Sequence, residues 1–372
     1  MPVLQVDGGD LFGRRNKNER HQSEFLCKIC GTFGIDAIGL GEQDLNFGLA
    51  FLEQMIEEHG LPFTNANVKS LGTGALILPE YLVVERGGIT FGIVSVMDPA
   101  QKIITMASGG EEFEVLEPVA VLREVVPRMR DKVDTVILLG HLGDALTDQV
   151  IKEVQGIDIS VTGHTYRNIT TERVLDDTIM LSSAYEGRYI GKADLFIDET
   201  NGKIMAVSTK VTGLDDTIPD DPEILAKVEE YKVSLTEFKE ARRSAYPRIY
   251  GSKEEDFIGD RSCKSCHEDV WQAYAKSGHM QAYNSLRVQG QHFEPDCLVC
   301  HTTGFQYENG YADDAPYNRL INVQCEACHG YGTQHARDGK WAAQAKDSCV
   351  ICHDQENSPE FDYASYWDRI KH

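Results

Sequence analysis

Cys263-Lys-Ser-Cys266-His267 is the first of four stretches of the form Cys-x-x-Cys-His, and the others are Cys297-Leu-Val-Cys300-His301, Cys325-Glu-Ala-Cys328-His329 and Cys349-Val-Ile-Cys352-His353. In each stretch, two thiols three residues apart can bond to one porphyrin, and the following histidine can place its imidazole under the iron. Zinc ribbons are the alternative, but their cysteine pairs lie closer together and need no histidine after every second cysteine. The motifs therefore predict four c-type haems.

The motifs also predict how each haem iron is held. The thioether attachments are Cys263, Cys266, Cys297, Cys300, Cys325, Cys328, Cys349 and Cys352, and the proximal ligands are His267, His301, His329 and His353. The histidines left after residue 250 give one distal ligand for each iron: His279, His292, His335 and His372. Met280 is the only methionine there, so we predict mostly bis-histidine coordination and low reduction potentials. His335 follows His329 too closely to serve the same haem, and we expect it to serve a neighbouring one.

Cys27-Lys-Ile-Cys30 provides an internal comparison, because it is followed by Gly31 and not by histidine. We predict that this pair carries no haem. A disulfide, a thiol pair packed within a helix and a redox-active dithiol remain open.

The sequence changes character along the chain. Residues 1–214 alternate short apolar runs, beginning at Val3–Val6, with amphipathic stretches, which predicts a layered α/β or α+β domain. Residues 215–257 are predicted as a connecting helix and linker. Residues 258–372 have few strand signals, so we predict a mostly helical or irregular multihaem cytochrome c domain whose core is formed by the haems. In the first domain, helices are expected at Glu19–Gly31, Leu45–His59, Val115–Arg130 and Ala145–Val154.

Charge and apolar patterning exclude several classes of partner. The formal net charge of −23 at pH 7 leaves no basic face for nucleic acid. The most apolar run, around Val136 to Leu139, is interrupted by Gly140 and His141, so we expect no transmembrane segment. The residues from Met1 to Asp10 show neither the basic nor the apolar region of a secretory leader. Because haem attachment of this kind is completed outside the bacterial cytoplasm, we expect a periplasmic or extracellular protein whose leader has been removed or left out.

The C-terminal region resembles the cytochrome c-554 family of multihaem electron carriers, over about residues 258–372. The resemblance is carried by Ser262–Trp271, Ser277–His279, Val323–Gly330 and the closing Tyr366–His372. It implies closely packed haems that relay single electrons, one of which can lack a sixth ligand.

Residues 3–211 resemble the periplasmic 5′-nucleotidase branch of the calcineurin-like metallophosphoesterases. The matching segments are Val6-Asp-Gly-Gly-Asp10-Leu-Phe, Asp36–Gly41, Asn65-Ala-Asn67-Val, Leu139-Gly-His141-Leu-Gly, Thr162-Gly-His164-Thr-Tyr166 and Gly187–Gly191. The resemblance implies a layered β-sandwich fold with two metals at strand ends, bridged by the carboxylate that matches Asp10. Such metals activate a bound water and clamp a phosphoryl group.

The chain departs from that family at the residues that would bind the metals and carry out the reaction. The opening Asp-x-His strand has no counterpart, so we expect the domain to be N-terminally incomplete. Glu42-Gln43 replaces Asn-His, and Tyr166 replaces the second histidine of Gly-His-x-His. Gln43 cannot protonate a leaving group. The second metal position keeps ligands suited to one zinc, manganese or iron ion: Asp10, Glu42, His141 and His164.

These expectations favour an electron carrier over an enzyme. Redox proteins are the expected partners, and His372, as the last residue, suggests self-association or a filament with haems stacked between subunits. A haem-based redox enzyme acting on nitrogen oxides or hydroxylamine is one alternative. A residual metal-dependent phosphohydrolase or nucleotidase is the other.

Overall fold

A computed structural model of the chain describes residues 2–14, 17–105, 112–165, 173–182, 187–198, 204–244, 246, 249–250, 255–288, 291–292, 294–312, 319–340, 345–354, 358 and 360–371. The chain divides into two compact units, Met1–Lys232 and Val233–His372. The strands described are β1 Val6–Asp7, β2 Ala37–Gly39, β3 Phe63–Thr64, β4 Val68–Ser70, β5 Leu82–Arg86, β6 Ile89–Met97, β7 Phe113–Val115, β8 Thr135–His141, β9 Ile159–Thr162, β10 Arg173–Leu175, β11 Thr178–Leu181, β12 Tyr189–Ile197 and β13 Ile204–Gly213.

Helices occur in both units. The α-helices are α1 Lys17–Phe33, α2 Leu49–His59, α3 Pro118–Arg130, α4 Gly143–Glu153, α5 Pro222–Ser244, α6 Asp260–Lys264, α7 Glu268–Tyr274, α8 Ala282–Val288, α9 Pro295–His301, α10 Cys325–His329, α11 Thr333–Asp338 and α12 Tyr363–Ile370. Short 3-10 helices cover Glu42–Leu45, Gly278–Gln281 and Ala345–Ile351. No helix in the described part of the chain is long and apolar enough to cross a bilayer.

The first unit is built around a six-stranded sheet in the order β10-β11-β9-β8-β6-β5. Its four central strands are parallel, and β10 and β5 pair antiparallel at the edges. Every residue of β8 is buried. Both faces of a parallel sheet are normally covered, and this explains the apolar run that crosses the strand.

Two different layers cover this sheet. On one face, Leu122 and Met129 of α3 and Ile151 of α4 share a core with Val94 and Leu138. On the other face, a three-stranded parallel sheet β1-β2-β3 and the hairpin β12-β13 pack against it. Helices α1 and α2 lie outside the three-stranded sheet. The order helix, sheet, sheet, helix confirms the predicted layered fold.

Several predicted elements differ in their bounds, and two of them have a clear physical or structural consequence. The strand expected at Val3–Val6 is present only as the two-residue β1. The helix expected at Leu45–His59 begins at Leu49, because Gly48 has a φ of 89° that interrupts the helical path. Residues Glu42–Leu45 form a separate 3-10 turn, and this turn places Glu42 and Gln43 at the edge of the sheet.

The second unit has no named strand among its described residues and is mostly short helices, as predicted. Its side-chain core is small and contains Phe257, Leu286, Leu298, Tyr311 and Leu320. A unit with so few apolar side chains needs further buried apolar volume for stability.

Candidate metal and haem sites

Four side chains with metal-ligating groups meet at one edge of the sheets in the first unit. Asp10 follows β1, Glu42 follows β2, His141 ends β8, and His164 follows β9. One possible ligand atom from each residue lies within 4.8 Å of the others. The carboxyl ends of parallel strands meet at the same edge of a sheet, so the topology explains how residues far apart in sequence converge.

His141 lies at the centre of this cluster. Its Nε2 is 3.1 Å from Glu42 Oε2, 3.4 Å from Asp10 Oδ2 and 3.2 Å from His164 Nδ1. The His141 side chain is 1% exposed, whereas that of His164 is 30% exposed. A metal ion about 2 Å from each nitrogen and oxygen fits a donor set with these separations. The cluster opens to solvent on the His164 side.

The hydrogen bonds of His141 leave one ring nitrogen for the cluster. Its Nδ1 donates to the carbonyl oxygen of Gly8 at 3.0 Å, so Nε2 points to the other three residues. Burial opposes protonation, but hydrogen bonds to Asp10 and Glu42 raise the pKa of His141 to about 10. Without a metal, a proton on His141 therefore balances the two carboxylates. A divalent ion would take the place of that proton.

The backbone around the cluster adopts sparsely populated conformations. Asp10 has a φ of 62° and His164 a φ of 52°, both in the left-handed region. A Cβ atom at Gly41 would lie 2.1 Å from Asp10 Oδ1, so only glycine lets this carboxylate approach the chain. Such strain is often retained at functional sites.

Gln43 has a structural partner inside the cluster. Its side-chain Nε2 donates to Asp10 Oδ2 at 2.7 Å, and its backbone N donates to Asp10 Oδ1 at 2.8 Å. The amide therefore holds the carboxylate and cannot deliver a proton to a leaving group. Tyr166, the other substitution in the motifs, lies outside the described residues.

The Cys27 and Cys30 thiols lie in α1 within the core beneath the three-stranded sheet. Both are free in the structure. Burial raises the pKa of Cys30 to about 11 and raises that of Cys27 further. Both thiols are therefore weak nucleophiles at neutral pH.

In the second unit, each Cys-x-x-Cys-His motif forms about one helical turn. The second and third motifs lie in α9 and α10, and the first and fourth begin in α6 and Ala345–Ile351. The backbone N of His267 donates to Cys263 O at 3.0 Å, as a turn of helix requires. This turn brings the two thiols and the imidazole of a motif close together.

A cavity of about 650 Å³ opens between the first and third motifs. Its walls are mainly apolar but include His267, His279, His329 and His335. Tyr274 also lines it. The volume, the apolar walls and the imidazoles fit a porphyrin.

Thiols of different motifs are neighbours. The Cys263 thiol lies beside that of Cys325, and the Cys300 thiol lies beside that of Cys352. Helix α10 of the third motif packs against Ala345–Ile351, where the fourth motif begins. The four motifs therefore follow one another in the order first, third, fourth, second.

Two predicted distal histidines each lie near a predicted proximal histidine. The ring centres of His267 and His335 are 6.0 Å apart, and those of His353 and His279 are 6.2 Å apart. Two imidazoles on opposite faces of one iron, each about 2 Å from the metal, have ring centres about 6 Å apart. Both separations match this requirement.

For the other predicted ligands described in the structure, no pair of facing imidazoles is recorded. His301 Nδ1 donates to the carbonyl oxygen of Ala282 at 2.7 Å, so its Nε2 is available to a metal. The ring centre of His292 is 6.1 Å from that of Tyr283. His372 lies outside the described residues.

A buried ion cluster anchors the second motif. Arg242 Nη2 is 2.5 Å from Glu294 Oε2 and 3.1 Å from Asp296 Oδ2. Tyr246 donates its hydroxyl to Asp296 Oδ1 at 2.6 Å. The side chains of Arg242 and Glu294 are 12% and 3% exposed. Both carboxylates lie at the start of α9, so the cluster fixes the helix that carries Cys297.

We expect Arg242→Ala to lower the free energy of unfolding by about 3 kcal/mol, because losing one partner leaves buried charge uncompensated. Lys239→Ala, an exposed position on the same helix, is the control and should change it by less than about 0.5 kcal/mol. Guanidinium unfolding of the haem-loaded protein measures both effects. An unchanged midpoint in Arg242→Ala would show that the cluster does not stabilise this unit.

The sequence pattern gave no sign of a role for three buried or partly buried residues of the second unit: Glu326, Asp260 and Tyr274. Glu326 lies between the two cysteines of the third motif, and its side chain is directed inward. The burial of this glutamate could not be predicted from the sequence, because charged residues in helices are almost always exposed.

Both parts of the chain are similar to known proteins, and the C-terminal part is similar to cytochromes. A family model described as cytochrome c554 and c-prime matches residues 262–330. Cytochrome c-554 of Nitrosomonas europaea is 32% identical over 104 residues, which cover 24% of this chain and 44% of that protein.

The first part of the chain has different relatives. The 5′-nucleotidase of Homo sapiens is 24% identical over 261 residues, which cover 63% of this chain and 45% of that protein. The chain thus spans less than half the length of these curated relatives. The structure of the calcineurin-like phosphoesterase YfkN from Bacillus subtilis is similar with a TM-score of 0.52 at 19% identity, over 63% of this chain and 84% of that chain. The chain therefore joins a fold similar to that of calcineurin-like phosphoesterases and 5′-nucleotidases to a C-terminal region that is similar to cytochrome c-554.

Proposed function

We propose that the chain is an exported electron-transfer protein that carries four c-type haems in its second unit. The observation that carries this proposal is the set of four Cys-x-x-Cys-His motifs, three of which contribute residues to a cavity of about 650 Å³, together with two histidine pairs about 6 Å apart. Each bound haem would supply one iron that takes up and releases a single electron. Mostly six-coordinate irons favour transfer over catalysis.

The axial ligands follow from the histidine pairs. We infer that His267 and His335 hold the iron of the first haem, and that His353 and His279 hold the iron of the fourth. His301 and His329 are the proximal ligands of the second and third, whose distal ligands we propose among His292 and His372. His335 thus serves a neighbour of the motif that it follows.

The adjacent thiols support an order for the relay. Because Cys263 neighbours Cys325 and Cys300 neighbours Cys352, we propose that electrons pass between the first and third haems and between the fourth and second. The packing of α10 against Ala345–Ile351 joins these two pairs. The first and second haems are then the two ends.

Replacing His335 tests the ligand assignment. We expect His335→Ala to convert one low-spin ferric iron to a high-spin form, because the first haem loses its sixth ligand. Electron paramagnetic resonance of the oxidised protein counts the two forms. His59→Ala, in the first unit, should leave the spectrum unchanged. A His335→Ala spectrum with the native number of low-spin irons would show that this histidine binds no iron.

For the first unit we propose a retained metallophosphoesterase scaffold that binds one divalent ion, zinc, manganese or iron, through Asp10, Glu42, His141 and His164. The clustered donors and the bonded Nδ1 of His141 support this assignment. The bound ion would polarise a phosphoryl oxygen or a water.

Residual phosphohydrolase activity is the second candidate function, favoured by the same cluster. The bond of Gln43 to Asp10 makes it the less favoured one. Release of phosphate from 5′-nucleotides, dependent on manganese or zinc and lost in Glu42→Ala, would establish it. A haem-based enzyme acting on nitrogen oxides or hydroxylamine would require an iron with an open face.

We propose a periplasmic or extracellular location, since attachment of haem to these motifs is completed there in bacteria. Redox partners with positive surface patches suit a chain of net charge −23. Self-association with haems adjacent between copies is a further proposal that His372 motivates.

A further inference from the structure

Glu326 is a buried charge between the first and third haem attachment positions. Glu326 is 2% exposed. One carboxylate oxygen, Oε1, accepts from the backbone N of Ile258 at 2.9 Å and of Gly332 at 2.7 Å, and Oε2 accepts from the backbone N of Gly259 at 2.7 Å. All three partners donate and none accepts, and this favours the ionised carboxylate, whereas burial raises the pKa of Glu326.

Asp260 lies beside it at the start of α6 and is 8% exposed. Its Oδ2 accepts from the indole Nε1 of Trp271 at 3.1 Å, and its backbone N donates to Gln324 at 2.9 Å. The partners of both carboxylates are therefore uncharged groups. These groups stabilise a negative charge without cancelling it.

Both carboxylates act on the same two thiols. Each lies within electrostatic range of Cys263 and Cys325, the first cysteines of the first and third motifs. The nearby cations are exposed to solvent: the Arg319 side chain is 58% exposed and that of Lys264 is 40% exposed. Solvent screens exposed charges far more than buried ones. The environment of these two attachment positions is thus strongly negative.

The second motif has a different balance of charge. The buried Glu294 and the partly exposed Asp296 both form ion pairs with the guanidinium of Arg242, whose side chain is 12% exposed. Arg242 thus compensates the carboxylates near Cys297. The carboxylate near Cys300 and Cys352 is that of Asp354, which is exposed to solvent. Among the described residues, no ion pair of this kind reaches Glu326 or Asp260.

We propose that Asp260 and Glu326 hold the haems of the first and third motifs at lower reduction potentials than those of the second and fourth. A fixed negative charge stabilises the ferric iron over the ferrous iron, and it does so most in a region of low dielectric constant. Electrons entering at the first haem then run towards the second, in the order first, third, fourth, second. This inference rests on the proposed haem-binding function.

Potentiometric titration of the four-haem protein, followed by visible absorbance, tests the inference. We expect Asp260→Asn and Glu326→Gln each to raise the same two potentials and leave the other two unchanged. The expected shift is about tenfold in the ratio of reduced to oxidised haem at a fixed potential, or about 59 mV for one electron. Asp269→Asn removes the same charge from an exposed position of α7 and should move none.

Two features keep the test decisive. Asparagine at position 260 can still accept from Trp271, so Asp260→Asn should fold even where Glu326→Gln, which sets an amide N–H against a backbone N–H, does not. No shift in Asp260→Asn, or an equal shift of all four potentials, would overturn the inference. A native protein with fewer than four haems by intact mass would instead refute the proposed function, so the two failures are distinguishable.

Discussion

A chain in which Cys263 and Cys266 are both replaced by serine is expected to carry one haem fewer than the native chain. Serine cannot form the thioether bonds, and the first haem would then be held only by its histidines. Because the cavity between the first and third motifs is part of the interior of this unit, we also expect a clear loss of thermal stability. Intact-mass spectrometry measures the haem number, and circular dichroism measures the melting temperature.

The chain contains its own control for this experiment. Cys27 and Cys30 have the same spacing but no following histidine, and replacing both by serine should leave the haem number unchanged. A haem lost from that variant, or retained in the Cys263/Cys266 variant, would contradict the assignment of attachment sites.

The second large effect is expected at the cluster in the first unit. We predict that His141→Ala lowers the affinity for zinc or manganese by at least about 100-fold, because its Nε2 is central to the donor set. Isothermal titration calorimetry with the metal alone measures the change. His21→Ala, on α1, is the control and should bind as the native chain does.

His141 is fully buried, so its loss can also disturb the fold. His164→Ala removes a more exposed ligand and should also weaken metal binding while leaving the melting temperature nearly unchanged. A native chain that binds no zinc or manganese would contradict the metal assignment, as would equal binding by the native chain and both variants.

The sequence allowed the layered fold of the first unit to be predicted because its long elements carry clear periodicity. The run Thr135 to Leu139 and the amphipathic pattern of α3 are examples. The two-residue β3 and the three-residue β4 were not predicted, because a strand so short shows no alternation. These short pairings depend on tertiary packing.

The candidate sites could be predicted only in part. Glu42 and His141 were expected in one cluster through the family resemblance, and the parallel strand order provides the physical reason. The pairing of His335 with His267 was not predictable, because which histidine meets which motif depends on the packing of short helices. The burial of Glu326 was not predictable either, because it depends on three backbone N–H groups. Those of Ile258 and Gly259 are far from Glu326 in sequence, and that of Gly332 follows the third motif.

Intact-mass spectrometry of the native protein, produced in a bacterial host with its haem-attachment machinery and exported, tests the central claim most directly. The account predicts a mass equal to the exported polypeptide plus four haems that remain bound after denaturation. A denatured chain that carries fewer than four haems, or zinc in their place, would contradict it.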